Sequence, residues 1–331
     1  MSRDTLRRID PLKPDSDLIL LGAEIIRRGG LVAFPTETVY GLGANGLDAA
    51  AVRRIFEAKG RPQDNPLILH VSSIEEAQAI CLMDSRAVEL AEAFWPGPLT
   101  LVLPAKDCVP LETRGGLATV AVRMPSHPVA LELIKASGVP LAAPSANRSG
   151  RPSPTEAQSV RMDFGDRVDL ILDGGSTRIG VESTVLDVSG EEPLLLRPGG
   201  ITAEELTLFL GELKIPLSGE ALTRSPGTRY RHYAPVIPLL LWEGGNELVD
   251  ALEASGRTWA YVGIHTPPGN PLQSIRPETL EAYAHALFSS LRQLENSGAE
   301  ILVAELPPQE GIGRAIRNRL ERAAGFCGNE T

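Results

Sequence analysis

The sequence has little cysteine, no excess of positive charge and no long apolar run, and each shortage removes a class of protein. Cys81, Cys108 and Cys327 lie far apart among 331 residues and match no metal-ligand spacing. They read as buried free thiols in a reducing compartment. Lys and Arg number 32 against 42 Asp and Glu, for a formal net charge of −10. That balance argues against a broad basic nucleic-acid surface, because phosphate backbones are held mainly by Lys and Arg; it leaves room for a local cationic pocket. Apolar stretches such as Leu239-Leu240-Leu241 are far short of a transmembrane span and read as core strands. The first residues, Met1-Ser-Arg-Asp, carry no apolar signal region, so the expected location is cytoplasmic with no membrane partner. There is no internal repeat and no low-complexity tract.

What is present reads as two α/β units. A length of 331 residues with 43% hydrophobic and 22% charged residues fits two globular domains. Helical apolar spacing over 17–28 ends at Gly29-Gly30 and leads to a short buried strand, Leu31–Phe34. Asp48 caps a helix over 49–58, and a strand follows at Leu67–Val71. One or two helices fill 74–94 and stop at Pro96-Gly97-Pro98. Further strands are expected at 99–103, 119–122 and 141–143, with helices near 128–136 and 155–161. Strands at 170–172, 184–188 and 194–196 are joined by short connections, which predicts antiparallel pairing and a twisted mixed sheet. A helix starting at Thr202 closes this first domain, residues 1–211. Residues 212–237 are rich in Pro, Gly and Ser and read as a linker, yet they carry Tyr230, His232 and Tyr233 among basic residues, more than a passive spacer needs, so the linker is expected to fold over the active site. From 238 to 331 strand and helix alternate (238–242, 246–254, 259–264, 279–296, 301–305, 311–324), the pattern of a small Rossmann-like domain. Its last helix carries Arg314, Arg317, Arg319 and Arg322 with Glu321 among them and reads as a solvated face.

Chemistry concentrates in the first domain. Gly41-Leu-Gly43-Ala-Asn-Gly46 fits a dinucleotide fingerprint in form, but the strand that should end in an acid ends at His70, and Asp64 precedes that strand. These glycines read instead as a tight turn under the site. Lys59-Gly-Arg61 puts two cations one residue apart beside an apolar strand, and Ser145-Ala-Asn147 puts a hydroxyl and an amide just past another. Such groups at strand ends suit a polyanion such as a nucleotide triphosphate. Arg123, at the end of a strand, offers a fork that binds a carboxylate bidentately.

The stretches Phe34-Pro-Thr-Glu-Thr-Val-Tyr-Gly-Leu-Gly43, Lys59-Gly-Arg-Pro-Gln-Asp-Asn-Pro-Leu-Ile-Leu-His70, Trp95-Pro-Gly-Pro-Leu-Thr100, Thr119-Val-Ala-Val-Arg-Met-Pro125, Ala143-Pro-Ser-Ala-Asn147 and Glu182-Ser-Thr-Val185 resemble, in order, the YrdC/Sua5 family. The linker and the tail Gly313–Ala324 resemble its long two-domain form, so the resemblance spans nearly the whole chain. It implies a YrdC-like catalytic domain and synthesis of threonylcarbamoyl-AMP from L-threonine, bicarbonate and ATP with release of pyrophosphate. That product would feed the threonylcarbamoyladenosine modification at position 37 of tRNAs reading ANN codons, through a downstream transferase engaged transiently at most, with no stable nucleic-acid binding. The resemblance assigns Lys59, Arg61, Ser145 and Asn147 to catalysis and ATP, and Asn65, Thr119, Ser153, Arg197 and Tyr233 to further nucleotide contacts. It assigns Thr38, His70, Arg123, Ala143 and Ser183 to threonine, Ala143 through its backbone. Glu37 and Glu182 are candidates for helping with Mg2+, but the ion is expected to ride mainly on the phosphates, with no protein metal site. An RNA-binding module on the same fold and a related nucleotide-dependent carbamoyltransferase remain as alternatives.

Overall fold

Helix starts follow from capping side chains. Asp15, Asp48, Ser73, Asp84 and Thr202 each accept a backbone N–H from the first turn of the helix they precede, and Thr202 and Glu205 form a reciprocal capping box. The helices of the first domain are α1 (Ser16–Arg27), α2 (Ala49–Lys59), α3 (Ile74–Ile80), α4 (Ser85–Phe94), α5 (Pro128–Ser137), α6 (Ala157–Phe164) and α7 (Ala203–Leu210). The structure is a computed structural model that describes residues 5–216, 224 and 232–325. Tyr230 and Cys327 lie outside the described residues.

The strands of this domain are β1 (Leu6–Arg8), β2 (Val32–Phe34), β3 (Gly41–Asn45), β4 (Ile68–His70), β5 (Leu99–Pro104), β6 (Thr119–Arg123), β7 (Leu141–Ala142), β8 (Leu170–Asp173), β9 (Thr184–Asp187) and β10 (Leu194–Arg197). They form one mixed sheet in the order β1-β8-β2-β3-β7-β4-β6-β5-β9-β10. Alternating side chains feed cores on its two faces. Ala33, Leu42, Leu69 and Leu101 join α2, α3 and α4 on one face, while Val32, Phe34, Leu170 and Leu172 join α1 and α5 on the other.

Two sequence expectations are corrected here. Strand β8 does not pair with β9: it runs parallel between β1 and β2 at the far end of the sheet, and only β9 and β10 form the antiparallel pair. The residues between β8 and β9 cross to the other edge, so a short connection in sequence did not mean a hairpin. The glycines of 41–46 are not a turn. Gly41 to Asn45 are strand β3, antiparallel to β2, with Gly43 opposite Val32. A Cβ on Gly43 would lie 2.6 Å from the Phe34 ring, so glycine is required by close packing rather than by dihedral freedom.

The second domain is a four-stranded, wholly parallel sheet of β11 (Leu239–Trp242), β14 (Ile301–Glu305), β12 (Trp259–Val262) and β13 (Gln273–Ile275), in that order. Helix α8 (Glu247–Ala254) covers one face through Val249 and Leu252, against Trp259 and Tyr261. Helices α9 (Leu280–Leu294) and α10 (Gly311–Ala324) cover the other through Leu287, Phe288, Ile316 and Leu320. That second cluster also takes in Val39 and Val181 of the first domain and Tyr233 between the two, so the domains share a core at this point. No helix among the described residues is long and apolar enough to cross a membrane.

Candidate active site

Strands β4 and β6 are parallel neighbours with His70 opposite Arg123. Because side chains alternate along a strand, Ile68 and His70 share a face, as do Thr119, Ala121 and Arg123. A pocket opens on that face. It is lined by Thr38, His70, Arg123, Ala143 and Ser183, all expected at an amino acid, and by Arg61, Ser145, Asn147, Arg197 and Tyr233, expected at a nucleotide. Thr36, Glu182 and His232 join the lining. Thr119 lies on the face of Arg123 but four residues away, about 13 Å at 3.3 Å per residue, outside the lining. Lys59, Asn65 and Ser153 are buried behind the wall.

Arg123 is fixed before any ligand arrives. Its Nη2 lies 2.7 Å from the Glu37 carboxylate, its Nη1 donates to Thr38 Oγ1 at 3.0 Å and its Nε to the Gly97 carbonyl at 3.2 Å. The Thr36 and Thr38 hydroxyls are 2.9 Å apart, and Thr36 donates to the Val39 carbonyl, which ties the side chain to its own loop. Burial, with the positive charge of Arg123 beside it, pushes His70 down to about 3, so its ring is neutral near pH 7. Ser183 Oγ is 2.8 Å from Thr100 Oγ1 and accepts from Arg197 Nη2 at 3.1 Å. Burial also lowers Arg197, to about 10, still charged at neutral pH.

The Lys59-Gly-Arg61 pair divides its work. Gly60 adopts the left-handed conformation that ends α2, which turns the chain between the two cations. Lys59 Nζ donates to the carbonyls of Ser145 and Asn147 at 2.6 and 2.5 Å. It therefore clamps the Ser145–Asn147 loop rather than lining the pocket, and burial, followed by the charge of Arg61, lowers its pKa well below the usual lysine value. Arg61 lines the pocket, with Nη2 donating to the Pro66 carbonyl at 3.0 Å. Asn147 Oδ1 accepts from Ser145 Oγ, and its Nδ2 donates to the carbonyls of Arg148 and Arg151, so the amide braces the loop that presents the hydroxyl. The side-chain amide of Asn65 is buried and has no hydrogen-bond partner among the described residues.

The arginine-rich last helix is not a solvated face. Arg319 is 1% exposed, and its Nε donates to Glu182 Oε2 at 2.7 Å across the domain boundary. Its guanidinium lies 5.7 Å from the centre of the Tyr233 ring, which stacks on Phe288. Arg314 and Arg317 are also engaged, with Glu204 and Glu243 respectively. A signal was present in the sequence: Ile316, Arg319, Leu320 and Ala323 share one stripe of the helix, and all four are buried. Glu182 Oε1 accepts from Ser153 Oγ, so both carboxylate oxygens are occupied. Two more arginines cross the same boundary: Arg292 pairs with Asp163 at 2.7 Å, and Arg151 pairs with Glu295. Tyr233 has a φ of 65°, a conformation unusual for a side chain other than glycine, and is buried where the domains meet. The thiols differ from expectation in one respect: Cys81 is buried and Cys108 is exposed. Among the described residues, no group of three His, Cys, Asp or Glu side chains is arranged to hold a metal ion.

Fold and pocket together define a two-domain α/β protein that gathers fixed cations, hydroxyls and amides into one cleft at the edge of the domain boundary, a build suited to a small anionic ligand. The chain belongs to the Sua5/YrdC family: the family model described as telomere recombination (Sua5, YciO, YrdC) matches residues 24–199, and that of the threonylcarbamoyl-AMP synthase C-terminal domain matches 201–325. It is 46% identical to a threonylcarbamoyl-AMP synthase of Pyrococcus abyssi over 93% of this chain and 94% of that one. It is 44% identical to one of Bacillus subtilis over 96% of this chain and 95% of that one. The crystal structure of Pyrococcus abyssi Sua5 complexed with L-threonine superposes with a TM-score of 0.92 at 44% identity, covering 97% of this chain and 98% of that one.

Proposed function

We propose that this protein is an enzyme that makes threonylcarbamoyl-AMP from L-threonine, bicarbonate and ATP, releasing pyrophosphate, and is thus a nucleotidyltransferase. The observation that carries this is the joining, in one pocket, of residues fit for two ligands. Arg123, already oriented by Glu37, Thr38 and Gly97, presents a guanidinium to an amino-acid carboxylate, with Ser183 and Thr38 hydroxyls nearby for amine and side chain. Arg61, Arg197 and the Ser145 hydroxyl suit a polyphosphate. Two full-length relatives named threonylcarbamoyl-AMP synthase support the same reading, as does the relative solved with L-threonine.

The chemistry asks mainly for positioning and charge neutralisation. Threonine's amine adds to CO2 to give a carbamate and a proton. A carbamate oxygen then attacks the α-phosphorus, forming the P–O bond of the mixed anhydride as the bond to pyrophosphate breaks. Neutral His70 leaves Arg123 as the charge that faces the carboxylate. Lys59 acts through the Ser145–Asn147 loop that it holds. His232 and Tyr233 form a wall that keeps water from the labile product. Neither acid suits a resident metal: Glu182, on the pocket lining, is paired with Arg319, and Glu37, outside the lining, is paired with Arg123. Mg2+ therefore arrives with ATP as part of the substrate. The product would pass to a tRNA-modifying transferase. The direct test is pyrophosphate release from Mg-ATP: it is expected to require both threonine and bicarbonate, and release at the same rate without threonine would contradict the proposal.

A further inference from the structure

Glu182 is a negative charge in a pocket otherwise built for an anion. It lines the cleft, is 6% exposed, and lies one residue before Ser183. A buried carboxylate beside a triphosphate would repel it strongly, because the interior screens charge poorly. Its one direct ion-pair partner among the described residues is Arg319, which comes from the other domain and is the largest fully buried side chain among those residues. Arg319 is absent from the pocket lining. An arginine buried this completely, on the apolar stripe of a helix, is costly unless its charge is used.

We propose that Arg319 is a positioning residue through which the second domain sets the charge of the nucleotide half of the pocket. By neutralising Glu182 and holding it against Ser153, it lets a polyphosphate meet Arg61 and Arg197 without a bare carboxylate among them. The same guanidinium lies against the Tyr233 ring, so the wall formed by Tyr233 and the state of Glu182 are set together. This inference rests on the reading of the pocket as an ATP site. The groups facing Glu182 are Arg319 of α10, Arg197 of β10, Lys59 of α2, Ser153, and His232 and Tyr233. Burial works to raise its pKa, but Arg319, Arg197 and the Ser153 hydroxyl hold it below the usual value for Glu, so it is ionised and paired at neutral pH. With Arg319 gone, burial would be opposed less, and Glu182 would titrate closer to neutrality.

Calorimetric titration of the full chain with Mg-ATP, without threonine, tests this. Arg319→Met is expected to weaken ATP binding at pH 8 by roughly tenfold to a hundredfold. Lowering the pH should return part of that loss, as Glu182 takes up a proton more readily than in the unaltered protein, and the Glu182→Gln/Arg319→Met double variant should bind ATP better than Arg319→Met with no such pH dependence. Unchanged affinity in Arg319→Met, or a double variant as weak as the single, would overturn the proposal. Should Arg319→Met not fold, Glu182→Gln decides: with Arg319 unopposed it is expected to tighten ATP binding severalfold, and weaker binding would overturn the proposal. Absence of ATP binding by the unaltered protein would instead defeat the underlying assignment of the pocket.

Discussion

At the scale of single residues, Lys59 and Arg61 look equivalent in sequence and differ in place. Arg61 lines the pocket, while Lys59 holds two carbonyls of the Ser145–Asn147 loop. Removing Arg61 deletes charge-assisted bonds to a ligand worth about 1.5–3 kcal/mol. Arg61→Ala should therefore weaken ATP roughly tenfold to a hundredfold, with a smaller fall in melting temperature than Lys59→Ala, because the Asn65 and Pro66 carbonyls it donates to are only partly buried. Lys59→Ala should lower both, because two buried carbonyls lose their donor; differential scanning fluorimetry beside an ATP titration separates the two variants. The buried histidines set a pH dependence. His70 and His232 are both pushed down to about 3 in the folded protein by burial, helped in turn by Arg123 and by Arg61, and take up protons near 6.5 when unfolded. Their contribution is thus fully favourable above pH 6.5 and is lost as the pH falls toward 3, at about 1.4 kcal/mol per pH unit for each. Denaturant midpoints at pH 7, 6 and 5 should fall accordingly, and fall less steeply in His70→Gln. The polar motifs of the pocket were legible because their residue types name their chemistry. Arg319 was not, since an arginine among arginines reads as surface until the helical stripe it shares with Ile316 and Leu320 is weighed.

At the scale of elements, helices were legible nearly to the residue where a side chain caps them, as Asp48 and Thr202 do. Strands were legible where apolar runs were continuous, as at β5, β6 and β14. Pairing was not, because adjacency in sequence carried β8 to the wrong neighbour: its partners β1 and β2 are far back in the chain. Strand β3 was missed because glycines weaken every local strand signal, and here they are present for packing. That packing is testable. Gly43→Ala should cost roughly 1–3 kcal/mol through its clash with the Phe34 ring, read from the urea midpoint, and Phe34→Leu in the same chain should return part of it. A neutral Gly43→Ala would mean that the β2–β3 contact is looser than described.

At the scale of the whole molecule, the two domains are joined by buried charge and by a shared apolar cluster rather than by proximity alone. Arg319–Glu182, Arg292–Asp163 and Arg151–Glu295 bridge them, and Tyr233 packs with Val39 and Val181 on one side and Phe288 on the other. The alternating pattern after residue 238 made the second domain legible, but nothing local announced that it would reach the pocket. At saturating Mg-ATP, Tyr233→Ala should lower the product recovered per ATP consumed severalfold, measured by chromatography of both, because the wall that excludes water is removed. Equal recovery would assign Tyr233 to domain packing alone. The central claim, that one pocket joins threonine, carbon dioxide and the adenylyl group, is tested most directly with labelled bicarbonate. In a mixture of the protein, Mg-ATP and threonine, the labelled carbon should appear in an AMP-linked product in proportion to the pyrophosphate formed, and only with threonine present. Pyrophosphate without label in any AMP-linked species would contradict it.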